Sequence, residues 1–158
     1  MNEVLTLQRF YSDVLPADKA QGCVILPKTG HFNVFQRGAF CKKMTQMHRS
    51  DFYKISLVIG TGILHLENRD IEINGRALVF YNPSMQYLFE PVSAVQDGYF
   101  CLFNDHFIAP SLLDNNFRNS PLFNASLTPV YPLSESQAED LLFLFRKMTE
   151  EVETSYIQ

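Results

Sequence analysis

Between His48 and Phe89 the chain reads HRSDFYKISLVIGTGILHLENRDIEINGRALVFYNPSMQYLF. Apolar runs of three to six residues alternate there with turn signals, at a period too short for helices. Ile55, Leu57 and Ile59 alternate with Lys54, Ser56 and Val58, the two-residue period of a half-buried strand. This strand is expected to halt at Gly60-Thr61-Gly62, the next (ILHLE) at Glu67-Asn68-Arg69-Asp70, and IEI at Asn74-Gly75. Asn-Gly is a strong turn signal because both residues tolerate positive φ. ALVFYN leads into an Asn82-Pro83 turn, and YLFEPV and GYFCLF follow. Upstream, CVILP and HFNVFQR flank a turn signal at Pro27 to Gly30. Seven or eight strands so spaced predict an antiparallel sandwich or barrel.

The flanks differ. A short helix is expected around Leu7 to Val14, stopped by Pro16, and a short or broken helix after Asn104, interrupted at Pro110. The segment NSPLFNASLTPVYPL is turn-rich and reads as a loop. The last 25 or so residues carry the strongest helix pattern. Ser134 or Ser136 can cap it, with Gln137 or Glu139 completing a capping box. Ala138, Leu141, Phe145, Met148 and Val152 then step by three and four, with Leu142 widening the stripe. The stripe can pack on its own sheet or pair with a second copy. Its seam-like spacing predicts a symmetric homodimer through Leu141, Phe145, Met148 and Val152. The division expected is an arm over 1–20, a barrel over 21–105 and a helical dimerisation and linker region over 106–158.

The 158 residues suffice for one core. A net charge of −4, with Lys42-Lys43 and Arg146-Lys147 as the basic clusters, lacks the footprint of a nucleic-acid-binding face. Cys23, Cys41 and Cys101 are widely spaced without a C-x-x-C, which fits reduced thiols. No signal-peptide pattern opens the chain, and no stretch reaches the roughly 18 apolar residues of a membrane span. The expected compartment is the cytoplasm, with no membrane partner. No G-x-S-x-G elbow or phosphate-binding G-x-x-x-x-G-K-[ST] loop is present, so nothing supports acyl or phosphoryl transfer.

The strand layout, with H-R-S-D-F-Y, G-T-G and N-P-S, resembles the N-terminal, cupin-like sensor half of AraC-type transcription regulators. The resemblance covers about residues 20 to 105. It implies a mainly β fold, a cupin-like antiparallel β-barrel (double-stranded jelly roll) with a C-terminal α-helical appendage. Metal-binding cupins carry two histidines one residue apart, a carboxylate four residues on, and a third histidine on a later strand, all pointing inward. Against that pattern the chain has His48, then Ser50, Lys54 and Tyr87. One ligand of four remains and a cation stands where the acid belongs, so neither a metal nor any other cofactor is expected. The implied role is effector sensing and dimerisation without catalysis, DNA being reached only through a C-terminal helix-turn-helix domain absent from this chain. The rival is a cupin-fold enzyme, an isomerase or dioxygenase, with an unrecognised metal site.

For the small-molecule effector the expected contacts are Arg37, His48, Phe80 and Tyr87. His48 can line a pocket or sit at a strand edge. Phe80 and Tyr87 can stack on a ligand or plug the barrel. Arg37 can pair with a ligand carboxylate or remain a solvated strand end. His31, His65 and His106 are scattered and read as structural, with His65 facing away from its neighbours.

Overall fold

A computed structural model describes residues 4–14, 28–39, 46–108, 120 and 128–157. Cys23, Cys41, the CVILP run, Pro16 and Pro110 lie outside the described residues, as does all of 109–127 except residue 120.

Eight strands are described: β1 (Val4–Leu5), β2 (Phe32–Gln36), β3 (Arg49–Ser50), β4 (Tyr53–Leu66), β5 (Asp70–Tyr81), β6 (Tyr87–Pro91), β7 (Asp97–Phe103) and β8 (Val130–Pro132). The main sheet runs β2-β7-β4-β5-β8, with β6 also on β4, and all its pairings are antiparallel. β1 and β3 form a small parallel pair. The architecture is therefore mainly β and antiparallel with a C-terminal helix. The hydrogen-bonded path among the described residues is open, an arrangement consistent with a jelly roll. β8 and β1 come from beyond the 21–105 span, so both flanks of the chain contribute strands.

Two expected turns are instead strand interior. β4 runs through Gly60-Thr61-Gly62 and β5 through Asn74-Gly75, with Gly60 opposite Gly75 and Thr61 opposite Asn74. The reason lies in what flanks β4. Tyr53 to Ile59 pair with β7, whereas Gly62 to Leu66 pair with β6. The two-stranded ribbon changes partner at the glycines, and glycine within a strand marks such a bend. Neither flanking strand pairs with Thr61. Its amide donates to Ser93 Oγ (2.9 Å), and its carbonyl accepts from Val92 N (2.9 Å), Ser93 N (3.0 Å) and Gln96 Nε2 (2.8 Å). The 92–96 loop thus closes the gap that the change of partner leaves.

Alternation along β4 serves two layers. Leu57 packs with Val34, Cys101 and Phe145 on one face, joined by Ile55, Ile59, Leu141, Leu142, Met148 and Val152. Val58 and Leu64 lie in the other layer with Ile73, Val79, Tyr81, Met85 and Tyr87. At one end of that second face sits a helical arm. It comprises α1 (Leu7–Arg9), capped by Thr6, and a wider turn over Phe10–Val14, as the sequence predicts. Its Leu7, Phe10 and Tyr11 pack on Phe35, Phe52, Phe100 and Leu102. Tyr11 Oη also meets His31 Nε2 at 2.6 Å and accepts from Asn33 Nδ2 at 3.0 Å.

Helix α2 (Glu135–Ile157) begins with the expected capping box. Gln137 N donates to Ser134 Oγ (3.1 Å) and Ser134 N to Gln137 Oε1 (2.9 Å). The stripe taken as a seam between two copies faces the chain's own sheet. Ala138 and Phe145 are each 3% exposed, and Tyr99 stacks on Phe145 at 6.0 Å. Leu141, Met148 and Val152 are partly buried in the same layer. Phe143 and Leu144 point outward instead, 59% and 53% exposed. The Leu57 face of the sheet is apolar and needs a cover, and the stripe supplies it.

Candidate functional site

The four residues expected to share a pocket do not converge. Two of them meet. His48 and Tyr87 form an isolated antiparallel bridge, each amide donating to the other's carbonyl at 3.1 and 3.0 Å, with ring centroids 4.6 Å apart. The Asn82-Pro83 turn delivers Tyr87 there. Asn82 Oδ1 accepts from Ser84 N (2.9 Å) and Ser84 Oγ (2.7 Å), and Asn82 O accepts from Met85 N (3.1 Å). This Asx turn reverses the chain so that Tyr87 pairs with Leu66 on one side and His48 on the other.

Phe80 belongs to the opposite face. It packs with Tyr53 and Phe103 and meets Tyr131 edge-on at 5.6 Å. Its neighbour Tyr81 takes the inward position, with its ring 4.2 Å from that of Tyr87. One residue along a strand changes the face. Arg37 is a structural group at the far end of the sheet, and the two functions weighed for it give way to a third. It is 5% exposed, donates from Nη1 to Asp97 O (2.5 Å) and from Nη2 to Gln96 Oε1 (3.3 Å), and lies 5.4 Å over the Phe89 ring. Gln96 itself binds Thr61, whereas His48 and Tyr87 meet near the other end of β4.

The residue that completes the cluster is Lys54. Its ammonium lies 4.9 Å from the Tyr81 ring centroid, 5.1 Å from Phe100 and 5.7 Å from Tyr87, within the range of cation–π attraction. His48, Lys54, Tyr81, Tyr87 and Phe100 thus come together on the inward face. Three of these residues, His48, Lys54 and Tyr87, are those that the resemblance sets against the ligand positions of metal-binding cupins. Ser50, at the remaining position, is buried and donates to Phe52 O at 3.0 Å, a local turn contact.

Electrostatics sets the character of the cluster. Burial first, then repulsion from Lys54, lowers His48 from the ordinary 6.5 to about 4, against a smaller opposing effect of the Gln46 backbone. The imidazole is therefore neutral at pH 7. It is 8% exposed, and its Nδ1 is buried without a hydrogen bond. Burial, and then the neighbouring Tyr81, push the Tyr87 hydroxyl far above its usual range. No set of three or more His, Cys, Asp or Glu side chains suited to a metal occurs among the described residues. His65 sits elsewhere, between Asp70 Oδ1 and Glu90 Oε1 at 2.8 Å each. Cys101 is buried under α2, its thiol pushed up to about 12 by burial. It acts there as a small hydrophobe.

The signal that would have identified Lys54 was in the chain. Lys54 alternates with the helix-facing isoleucines and leucine, so it shares a face with Ser56 and Val58. The chain alone carries no register for β5, and the choice between Phe80 and Tyr81 needed the pairing Lys54↔Tyr81.

No family model matches this chain, and no curated protein matches it. Among solved structures it is similar to a cupin protein from Bacteroides fragilis, with a TM-score of 0.36 and 14% identity over 48% of this chain. The match spans 65% of that protein's length. No helix among the described residues is long and apolar enough to cross a membrane.

Proposed function

We propose that this is a cupin-type, effector-sensing and dimerisation domain of an AraC-type transcription regulator, which binds a small molecule between its layers without metal or catalysis. The observation that carries the reading is the inward cluster. At the positions where a catalytic cupin needs ligands, the chain has one histidine, a lysine and a tyrosine, ringed by aromatic side chains. A cation repels a metal ion, whereas an ammonium, an imidazole and three rings suit recognition of an organic molecule. The same cluster touches the arm, because Phe100 packs edge-on against Phe10 at 6.1 Å while facing Lys54. A ligand that moves Phe100 would change how the arm is seated, by no more than its differential affinity for the two arrangements. The domain would work in the cytoplasm and reach DNA through a helix-turn-helix domain outside this sequence.

The homodimer belongs to the same reading, on a different surface from the one expected. With the stripe on its own sheet, Phe143 and Leu144 are, among the described residues, the large apolar side chains left outward on α2. Beside Leu144 runs a groove of about 640 Å³ lined by Phe32, Phe107, Met148 and Val152, with Lys147 and Glu151 at its rim. A two-fold axis that sets Lys147 against Glu151 of a second copy makes the rim self-complementary.

The testing experiment is a thermal-shift screen of cellular metabolites on this chain. A ligand should be found that raises the melting temperature of the unaltered protein, loses its effect on Tyr87→Ala, and changes hydrogen exchange in the 7–14 arm. Turnover of that ligand, or a transition metal near one per chain that is lost on His48→Ala, would establish the enzyme instead.

A further inference from the structure

The ligand-sensing reading leaves the chemistry of the ligand open, and the cluster narrows it. Both nitrogen groups at its centre are basic. Lys54 brings a positive charge among the rings of Tyr81, Tyr87 and Phe100, and His48 is held close enough to feel it. His48 is more than nine-tenths buried, yet Nδ1 makes no hydrogen bond. A buried polar nitrogen without a partner destabilises the fold, and such an atom beside a cation and three aromatic rings is where a ligand group belongs.

We propose that this site binds a small organic carboxylate, its anionic end between Lys54 Nζ and His48 Nδ1 and its flat or apolar body against the Tyr81, Tyr87 and Phe100 rings. The inference rests on the sensing function proposed above. A carboxylate has two oxygens, one for each nitrogen group, so it meets both basic centres at once. Its charge offsets that of the ammonium and removes the repulsion that adds to burial in keeping His48 neutral. Phosphate fits less well. Phosphate recognition draws on guanidinium forks or several backbone amides, and the cluster offers one point charge amid rings. A sugar fits less well too, since the lining is mostly aromatic carbon and supplies few of the partners that a ring of hydroxyls demands. Planar or aliphatic bodies, by contrast, match stacking on tyrosine and phenylalanine faces.

The test uses the whole chain and four probes, benzoate and hexanoate against benzamide and hexanamide, followed by nuclear magnetic resonance of the histidine rings. At least one acid should shift the His48 ring signals saturably and bind roughly tenfold or more tighter than its amide, the difference expected of a charge-assisted hydrogen bond. Lys54→Met, which keeps the apolar stem, should abolish that preference while leaving the far-ultraviolet circular dichroism unchanged. If it unfolds, His48→Gln serves in its place and should weaken the acid more than the amide. Equal binding of acid and amide, or undiminished acid binding in a folded Lys54→Met, overturns the carboxylate and leaves the sensing function standing. Silence towards both acids overturns the carboxylate alone, because the metabolite screen judges sensing separately.

Discussion

At the scale of single residues, two histidines load the fold in opposite directions. His48 has a lowered pKa, so it is stabilising while neutral. The unfolded chain takes up its proton near pH 6.5 and the folded protein only near pH 4. Stability should therefore fall as pH drops from about 6.5 towards 4, and His48→Gln should flatten that limb in urea melts taken at successive pH values. An unchanged slope in the variant would mean that the imidazole is not buried neutral. His65 behaves the other way. Hydrogen bonds that its ring donates to Glu90 and then to Asp70 raise its pKa, so its contribution is complete below pH 6.5 and is lost as pH rises through the raised value. Because His65 and both of its carboxylate partners are partly exposed, salt should weaken its effect. His65→Asn should accordingly cost stability at pH 6 and little at pH 9, a difference that 1 M salt reduces.

At the scale of elements, two neighbours of β4, the strands β5 and β7, rest on glycines that are not equivalent. Gly75 and Gly98 both have positive φ, 96° and 108°. A Cβ on Gly75 would meet open space, whereas on Gly98 it would run into the Leu57 carbonyl oxygen. Gly75→Ala should then cost about 1–3 kcal/mol, the strain of the backbone alone. Gly98→Ala should cost clearly more, since the neighbour is backbone in a paired strand and cannot yield. Equal melting temperatures for the two variants would contradict this. Helix α2 offers a second contrast. Phe145→Ala empties the layer between helix and sheet and should cost about 3–5 kcal/mol, while Phe143→Ala should stay within about 0.5 kcal/mol. For the proposed dimer, Leu144→Glu should yield a folded monomer in sedimentation. A dimer that survives Leu144→Glu would place the interface elsewhere.

At the scale of the whole molecule, stability should owe nothing to a bound ion. Dialysis against a chelator should leave the melting temperature where it was, because a ligand that binds only the folded state would otherwise lower it on removal. A drop restored by zinc, iron or manganese would return the enzyme reading. The layered architecture also explains why the arm and α2 matter together. One covers the end of the inward layer and the other the Leu57 part of the outward face, so each face carries an apolar cover from a flank of the chain. Polar replacement of Leu141 and Phe145 together should therefore unfold the domain, where an intermolecular seam would have left the strands intact.

The chain by itself determined the strands HFNVFQR, YLFEPV and GYFCLF, the Asn82-Pro83 turn and the Ser134–Gln137 cap. These depend on neighbours a few residues apart, through side-chain alternation, φ preference and local hydrogen bonds. Tertiary structure decided the rest. Gly60-Thr61-Gly62 and Asn74-Gly75 have the local chemistry of turns, yet opposing one another in register they become the bend of a continuous ribbon. A three-four stripe has the same spacing whether a sheet or a second helix covers it, so only the apolar outer face of β2, β4 and β7 decided where Phe145 goes. The site followed the same rule. His48 and Tyr87 were legible from their places in the layout, but Phe80 was one residue off and Lys54 was dismissed as a lost ligand. A side chain's face depends on the register of its partner strand, and register is a property of the assembled sheet.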